Sequence, residues 1–372
     1  MTLHSVTVPK WGLSMEDGLL VHWYVEPGAR VGAGDPLIDI ETPKITNTLE
    51  AVDTGIVRRI LGKPGDTLPC GQLIAVIDDA DATDEEIEAF VSQSVAEIAA
   101  QQQNATVARI EPQLIDAGGE RMRYLAMGEG GVPVLFLHGF GGDLNNWMFN
   151  QPALSDGRRT IALDLPGHGG SSKAIIDGAA ASLARAAIAA MDALDLGKAH
   201  LVGHSLGGAV AIEIAASAPA RVASLTLICS AGLGPEISRD YIEGFLGAKR
   251  RRDLQKVLEL LFADKALVTA DMAEDLLKVK RLDGAEEALR KIAQANFPNF
   301  TQHEGTRETL ASLAVPLLTI WGREDAIIPA GHAANLPGRV EILEAAGHMP
   351  HLEKAAHVNA LLAEHFAAAS QS

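Results

Sequence analysis

Residues 199–217 read AHLVGHSLGGAVAIEIAAS. The short apolar run from Ala199 to Val202 stops at Gly203-His204-Ser205-Leu206-Gly207, and an Ala-rich helical pattern begins at once. Strand, sharp turn and helix are the context in which G-x-S-x-G forms a nucleophile elbow. Gly203 and Gly207 permit a turn tight enough to present Ser205 in a strained, exposed position. The helix N-terminus behind it favours negative charge as that charge develops. A buried helix-capping serine is the plainer reading of the same five residues, and their surroundings decide between the two.

Four other apolar runs, Val134–Leu137, Thr160–Leu163, Leu225–Ile228 and Leu317–Ile320, follow the same habit. Continuous apolar strands separated by Ala-rich helical stretches describe a mostly parallel sheet with helices on both faces. From residue 111 to residue 372 this predicts one α/β domain of about 260 residues.

A serine nucleophile requires a base. His348, in Gly347-His348-Met349-Pro350, follows the apparent last strand and fits the chain order serine, acid, histidine. His351 competes, but Gly347 gives His348 a loop at the strand end. Asp325, in Trp321-Gly322-Arg323-Glu324-Asp325, lies at a strand's C-terminal edge and would fix the histidine tautomer. Glu324 is its rival. His138-Gly139-Phe140-Gly141-Gly142 follows Val134–Leu137, and the backbone N–H groups of Phe140 and Leu206 are expected to form an oxyanion hole. His138, His168 and His204 are then loop-ordering residues rather than bases.

The segments LFLHGFGG (135–142), DLPGHGGSS (164–172), GHSLGG (203–208), WGREDAIIP (321–329) and GHMPHLE (347–353) stand in one order along the chain. Over residues 112–368 the sequence resembles the α/β-hydrolase superfamily. The resemblance implies a helical cap over the active site at about 233–305, where helix-like, charged sequence interrupts the core pattern. That segment holds a basic run, Lys249-Arg250-Arg251-Arg252. It reads either as a solvated helix face or as an attractor for the phosphates of coenzyme A.

The first 80 residues differ in character, with short alternating segments rich in Gly and Pro. A shift of 37 residues lays the segment on itself: Gly18 meets Gly55, Pro27 meets Pro64, Gly28 meets Gly65, Gly34 meets Gly71, Leu37 meets Ile74 and Ile40 meets Ile77. Glycines recur where turns need positive φ, and apolar residues recur where strands face inward. Two such halves predict a small all-β sandwich. Between them lies Glu41-Thr42-Pro43-Lys44-Ile45-Thr46-Asn47, which should set Lys44 at an exposed hairpin tip.

The motifs PKWGLSMEDG (9–18), GDPLIDIETPKIT (34–46) and GDTLPCGQLIAVI (65–77) resemble a lipoyl domain over residues 5–79. The resemblance implies a lipoyl group attached through an amide to Lys44, although Pro43 replaces the usual acidic residue before the lysine. A biotinyl domain shares the fold but sets its lysine between two methionines, which Pro43 and Ile45 do not match. An unmodified hairpin is the remaining alternative. Residues 81–110 form an acidic helical linker, with Thr83 and Glu86 as a capping box. As a tether it would reach roughly 45 to 100 Å; the alternative is a helix packed on the second domain.

With 31 Lys plus Arg against 48 Asp plus Glu, the chain carries a formal charge of −17, which argues against general nucleic-acid binding. Two cysteines, Cys70 and Cys229, are too few for a disulfide scaffold or a structural zinc site, so no metal is expected. No apolar run reaches the length of a membrane span and no targeting segment is evident, so a cytoplasmic homo-oligomer is expected.

Taken together, the two halves resemble the dihydrolipoyllysine acetyltransferase component of acetoin dehydrogenase. The resemblance implies a thiamine-diphosphate-dependent component that cleaves acetoin and loads acetyl onto the arm, coenzyme A as acceptor, and a dihydrolipoamide dehydrogenase that reoxidises the arm. Ordinary acyltransferases of this kind carry an H-x-x-x-D-G signature, which is absent here, so a serine route is read from Ser205, His348 and Asp325 themselves. Direct transfer between thiols with His348 as base stays open. Two other functions compete: a serine hydrolase with a lipoyl docking domain, and a lipoyl carrier or scaffold with a weakly active hydrolase fold.

Overall fold

A computed structural model of the chain describes residues 3–9, 15, 17–42, 46–78, 82–104, 111–302 and 306–370. The chain divides into two compact units, Met1–Ile110 and Glu111–Ser372.

In the first unit the strands are β1 (Leu3–Thr7), β2 (Asp17–Trp23), β3 (Arg30–Val31), β4 (Pro36–Glu41), β5 (Thr46–Glu50), β6 (Gly55–Ile60), β7 (Thr67–Pro69) and β8 (Leu73–Asp78). The 37-residue shift carries β2, β3 and β4 onto β6, β7 and β8. The strands form two antiparallel sheets, ordered β1-β8-β6-β3 and β5-β4-β2-β7, so each half of the repeat lends one strand to the other half's sheet. Matching backbone bonds join the halves: Gly28 N–H donates to the Val57 carbonyl and Gly65 N–H to the Leu20 carbonyl, both at 2.7 Å. Gly28 and Gly65 hold φ of +94° and +93°. Leu20, Leu37, Ile40, Val57, Ile74 and Ile77 are buried in the shared core. Because both sheets need both halves, the core forms as one piece.

The β4–β5 register pairs Glu41 with Thr46. Pro43, Lys44 and Ile45 lie in the chain between these partners and outside the described residues. Helix α1 (Asp84–Asn104) starts with the expected capping box: Thr83 N–H donates to Glu86 Oε2 (2.8 Å), and Glu86 N–H to Thr83 Oγ1 (3.3 Å). Its first turns pack on β8 and β1, burying Ile87, with Glu88 paired to Arg59 at 3.0 Å. The near end of the segment read as a linker is therefore seated on the sandwich.

The second unit contains β9 (Gln113–Ala117), β10 (Glu120–Met127), β11 (Val134–Leu137), β12 (Thr160–Leu163), β13 (Ala199–His204), β14 (Val222–Ile228), β15 (Leu317–Gly322) and β16 (Arg339–Leu343). Its helices are α2 (Ala180–Ala193), α3 (Leu206–Ser217), α4 (Arg239–Gly247), α5 (Arg251–Leu258), α6 (Ala270–Lys280), α7 (Ala285–Asn296), α8 (Thr306–Ser312), α9 (Pro350–Glu353) and α10 (Ala355–Ala369). The sheet order is β16-β15-β14-β13-β11-β12-β10-β9, parallel from β12 to β16, with β10 and β9 added antiparallel at one edge. Strands β11, β12 and β13 are buried at every residue, as a sheet covered on both faces requires. Helices α4 to α7 are inserted between β14 and β15. Among the described residues, no helix is long and apolar enough to cross a membrane.

Two glycines of the sandwich make a contrasting test. A Cβ on Gly55 would stand 2.4 Å from the Asp78 carbonyl oxygen, whereas Gly65 has nothing within 4 Å. Gly65→Ala should cost about 1 kcal/mol, from its left-handed φ alone. Gly55→Ala should cost about 2 kcal/mol or more, because backbone must move. Denaturant unfolding of the first unit checks the order; equal costs would contradict the close strand approach.

Candidate active site

At the end of β13, Ser205 holds φ +52° and ψ −119°. A residue with a side chain rarely adopts this backbone and does so only where its surroundings enforce it. A Cβ on Gly207 would stand 2.1 Å from the Leu137 carbonyl oxygen, and one on Gly203 would stand 2.3 Å from that of Gly207. Backbone lies directly on backbone around the turn. Ser205 N–H donates to the Ile228 carbonyl (3.0 Å), and the Ser205 carbonyl accepts from Gly208 N–H and Ala231 N–H, each at 2.9 Å.

His348 lies on the loop after β16. Its Nδ1–H donates to Asp325 Oδ2 at 2.8 Å, with side chains 2% and 0% exposed. This leaves Nε2 as the nitrogen able to take a proton. The other Asp325 oxygen accepts from Ile327 N–H (2.8 Å) and Ile328 N–H (2.9 Å), so the buried carboxylate is held on both sides. His204 Nε2–H donates to the His348 carbonyl at 2.8 Å, which fastens the histidine's backbone to the residue before Ser205.

The rivals have other work. The His351 ring lies 4.8 Å from Trp147 and 4.6 Å from His204, without a hydrogen-bond partner among the described residues. Burial, with His348 nearby, lowers its pKa to about 3. Glu324 accepts from Ala346 N–H at 3.0 Å and braces the loop. Both ring nitrogens of His138 are spent: Nδ1–H donates to the Gly139 carbonyl (2.8 Å), and Nε2 accepts from Leu165 N–H (3.0 Å).

Phe140 N–H and Leu206 N–H have no backbone acceptor among the described residues. The Phe140 peptide is held from the inserted helices, where Tyr241 Oη donates to its carbonyl at 3.1 Å. Its ring meets those of Phe245 and Phe297 at 5.5 and 6.1 Å. Gly141 leaves no room for a side chain, since a Cβ there would stand 2.4 Å from the Phe245 ring. A cavity of about 390 Å³ opens beside Leu206, bounded also by Ala231, Asn296 and Phe297.

Sequence reasoning missed three supports. Glu353 binds Gly347 N–H (2.7 Å) and Ala263 N–H (2.8 Å), tying the histidine loop to the inserted helical region. Its only sequence signal is its place in GHMPHLE. The sulfur of Cys229 lies within 4.8 Å of ligand atoms of Asp325 and His348, and burial pushes the thiol well up, so it stays protonated. Tyr241 had no signal beyond lying in the predicted cap. Lys44 is outside the described residues.

Family models match residues 4–77 ("biotin-requiring enzyme") and residues 132–355 ("alpha/beta hydrolase fold"). A dihydrolipoyllysine-residue acetyltransferase component of the acetoin cleaving system of Pseudomonas putida is 47% identical over 359 residues, covering 96% of each chain. Its counterpart from Cupriavidus necator is 42% identical, covering 98% of this chain and 97% of that one. The chain belongs to this acetyltransferase family. Its second unit belongs to the α/β-hydrolase fold. Among solved structures, a meta-cleavage product hydrolase from Pseudomonas fluorescens is 27% identical at a TM-score of 0.63, covering 69% of this chain and 98% of that one. Both acetyltransferase relatives are named as one component of a larger system.

Buried histidines give the second unit a pH signature. Burial lowers the pKa of His138, His168, His204 and His351, and takes His200 to about 4. In the unfolded chain they titrate near 6.5, so below that the unfolded state binds more protons. Stability is complete above that pH and falls as pH drops, by up to about 1.4 kcal/mol per unit for each fully buried ring. Denaturant unfolding at pH 7.5 and at pH 5.5 should show a loss of about 3 kcal/mol or more; equal stability would contradict neutral buried rings.

Proposed function

We propose that the second unit moves acetyl from a lipoyl-lysine thioester to coenzyme A through Ser205. The observation that carries this reading is the buried His348–Asp325 pair at 2.8 Å, fastened to a serine elbow in a chain that aligns end to end with acetyltransferases. Asp325 fixes the tautomer, and His348 Nε2 takes the serine proton as Oγ attacks the thioester carbonyl. Phe140 N–H and Leu206 N–H stabilise the oxyanion. The C–S bond breaks, His348 returns the proton to the leaving thiolate, and acetyl rests on Ser205. The thiol of coenzyme A then gives its proton to His348 and attacks the acetyl-serine, which frees Ser205 with its proton restored.

The donor arm fits the first unit. The antiparallel β4–β5 register pairs Glu41 with Thr46, and Lys44 lies between these two partners in the sequence. Lys44 is the residue that would hold the lipoyl group, which supplies a thiol on a long swinging arm. The chain works with other components of its system: a thiamine-diphosphate-dependent partner that cleaves acetoin and a dihydrolipoamide dehydrogenase. The domain division, with the sandwich to about residue 80 and the hydrolase-type unit from 111, serves this delivery.

A second reading, hydrolysis, has support from the fold likeness to meta-cleavage product hydrolases. The two separate in one assay. Acetyl-dihydrolipoamide should give acetyl-CoA when coenzyme A is present, with little acetate, and Ser205→Ala should lower the rate by about 10³-fold or more. Acetate as the main product supports hydrolysis instead, and transfer that survives in Ser205→Ala defeats the serine route. Intact-mass analysis should find one lipoyl group on the chain and none on Lys44→Arg; an unmodified wild-type chain from a lipoylating host would refute the carrier role.

A further inference from the structure

Charge is spread unevenly over a chain of net −17. The loop between α4 and α5 carries Lys249 and Arg250, and α5 opens with Arg251 and Arg252. Arg250 is spent on Asp253, with Nε to Oδ2 at 2.7 Å and Nη2 to Oδ1 at 3.2 Å. That occupies the Asp253 carboxylate, while Glu286 lies near Lys249. Arg251, Arg252 and Lys256 are exposed, and none of them makes an ion pair among the described residues. Arg252 and Lys256 are four apart on one helix face. Arg281, at the end of α6, donates through Nη2 to the Lys249 carbonyl at 3.4 Å and brings in another cation.

The cluster is anchored to the helix end that touches the candidate oxyanion loop. Tyr241 and Phe245 of α4 hold Phe140. Lys280 donates to the carbonyls of Phe245 and Ala248 and lies 4.5 Å over the Phe245 ring. Lys249 and Arg252 follow Phe245 by four and seven residues, no more than about 25 Å along the chain.

We propose that Lys249, Arg251, Arg252 and Lys256 bind the phosphates of coenzyme A, an inference that rests on the transfer reading above. The acceptor joins a small thiol to several phosphate charges through a flexible arm. Its phosphate site must therefore stand away from the nucleophile, and this exposed cluster follows in the chain the α4 residues that hold Phe140. Arginine forks pair with phosphate oxygens in two-point contacts, and an exposed site lets the product leave after each turnover.

The test uses the full chain with Arg251, Arg252 and Lys256 all changed to Gln, beside a variant with Arg251→Lys and Arg252→Lys. The Gln variant should raise the KM for coenzyme A about tenfold or more, with the KM for acetyl-dihydrolipoamide unmoved. Binding of adenosine 3′,5′-bisphosphate, measured without turnover, should weaken in step. The Lys variant keeps the charge but loses the two-point contacts, so it should fall between wild type and the Gln variant. Unchanged KM and unchanged nucleotide binding would overturn the proposal and leave the cluster a solvated helix face. A wild type that releases acetate but forms no acetyl-CoA would instead refute the transfer reading, and the nucleotide-binding arm would still decide the phosphate site.

Discussion

Everything in the second unit turns on one strained residue. Ser205 occupies left-handed backbone, and glycines on either side let the β11 loop and α3 close on it until only hydrogens fit between. Strain of this kind costs on the order of 1–3 kcal/mol and survives only where neighbours over-determine it. Here the neighbours act through backbone bonds to Ile228, Gly208, Ala209 and Ala231. The result is a hydroxyl at the edge of a fully buried parallel sheet with a helix N-terminus behind it. The same closeness brings together the two proposed donors of an oxyanion hole, since Leu206 starts α3 and Phe140 lies on the β11 loop.

The proposed base is held by a different logic. His348 stands on a loop, and loops move unless tied. Asp325 holds its ring, while His204, Leu261 and Glu353 hold its backbone and that of Gly347. Two of these ties reach into the inserted helices, as does the Tyr241 bond to Phe140. The insertion is thus tied into the loops that carry His348 and Phe140. A site that passes acetyl to a thiol must disfavour water, and the proposed cap, tied to these loops, would serve that end.

Much of this was legible in the residues because chain order constrains it. Five apolar runs gave five strands of the larger sheet, and the 37-residue repeat mapped β2–β4 onto β6–β8 with matched glycine conformations. The antiparallel pair β9–β10 was not foreseen. Its edge strand, Gln113–Ala117, is largely exposed, and Gln113 and Asp116 interrupt it so that it gives no continuous apolar run. Glu353, Cys229 and Tyr241 escaped for another reason: each acts through a contact between segments distant in sequence, and no local pattern marks such contacts. His351 and Glu324 show the converse. Sequence alone left them as rivals, and only packing assigns one to a stack with Trp147 and the other to a backbone brace.

The central claim is that acetyl rests on Ser205 between two thiols. Rapid-quench mass spectrometry of the full chain, mixed with acetyl-dihydrolipoamide in the absence of coenzyme A, tests it most directly. The account predicts an acetyl adduct on the peptide bearing Ser205, discharged as acetyl-CoA when coenzyme A is added. Rapid acetyl-CoA formation with that peptide never acetylated would contradict it.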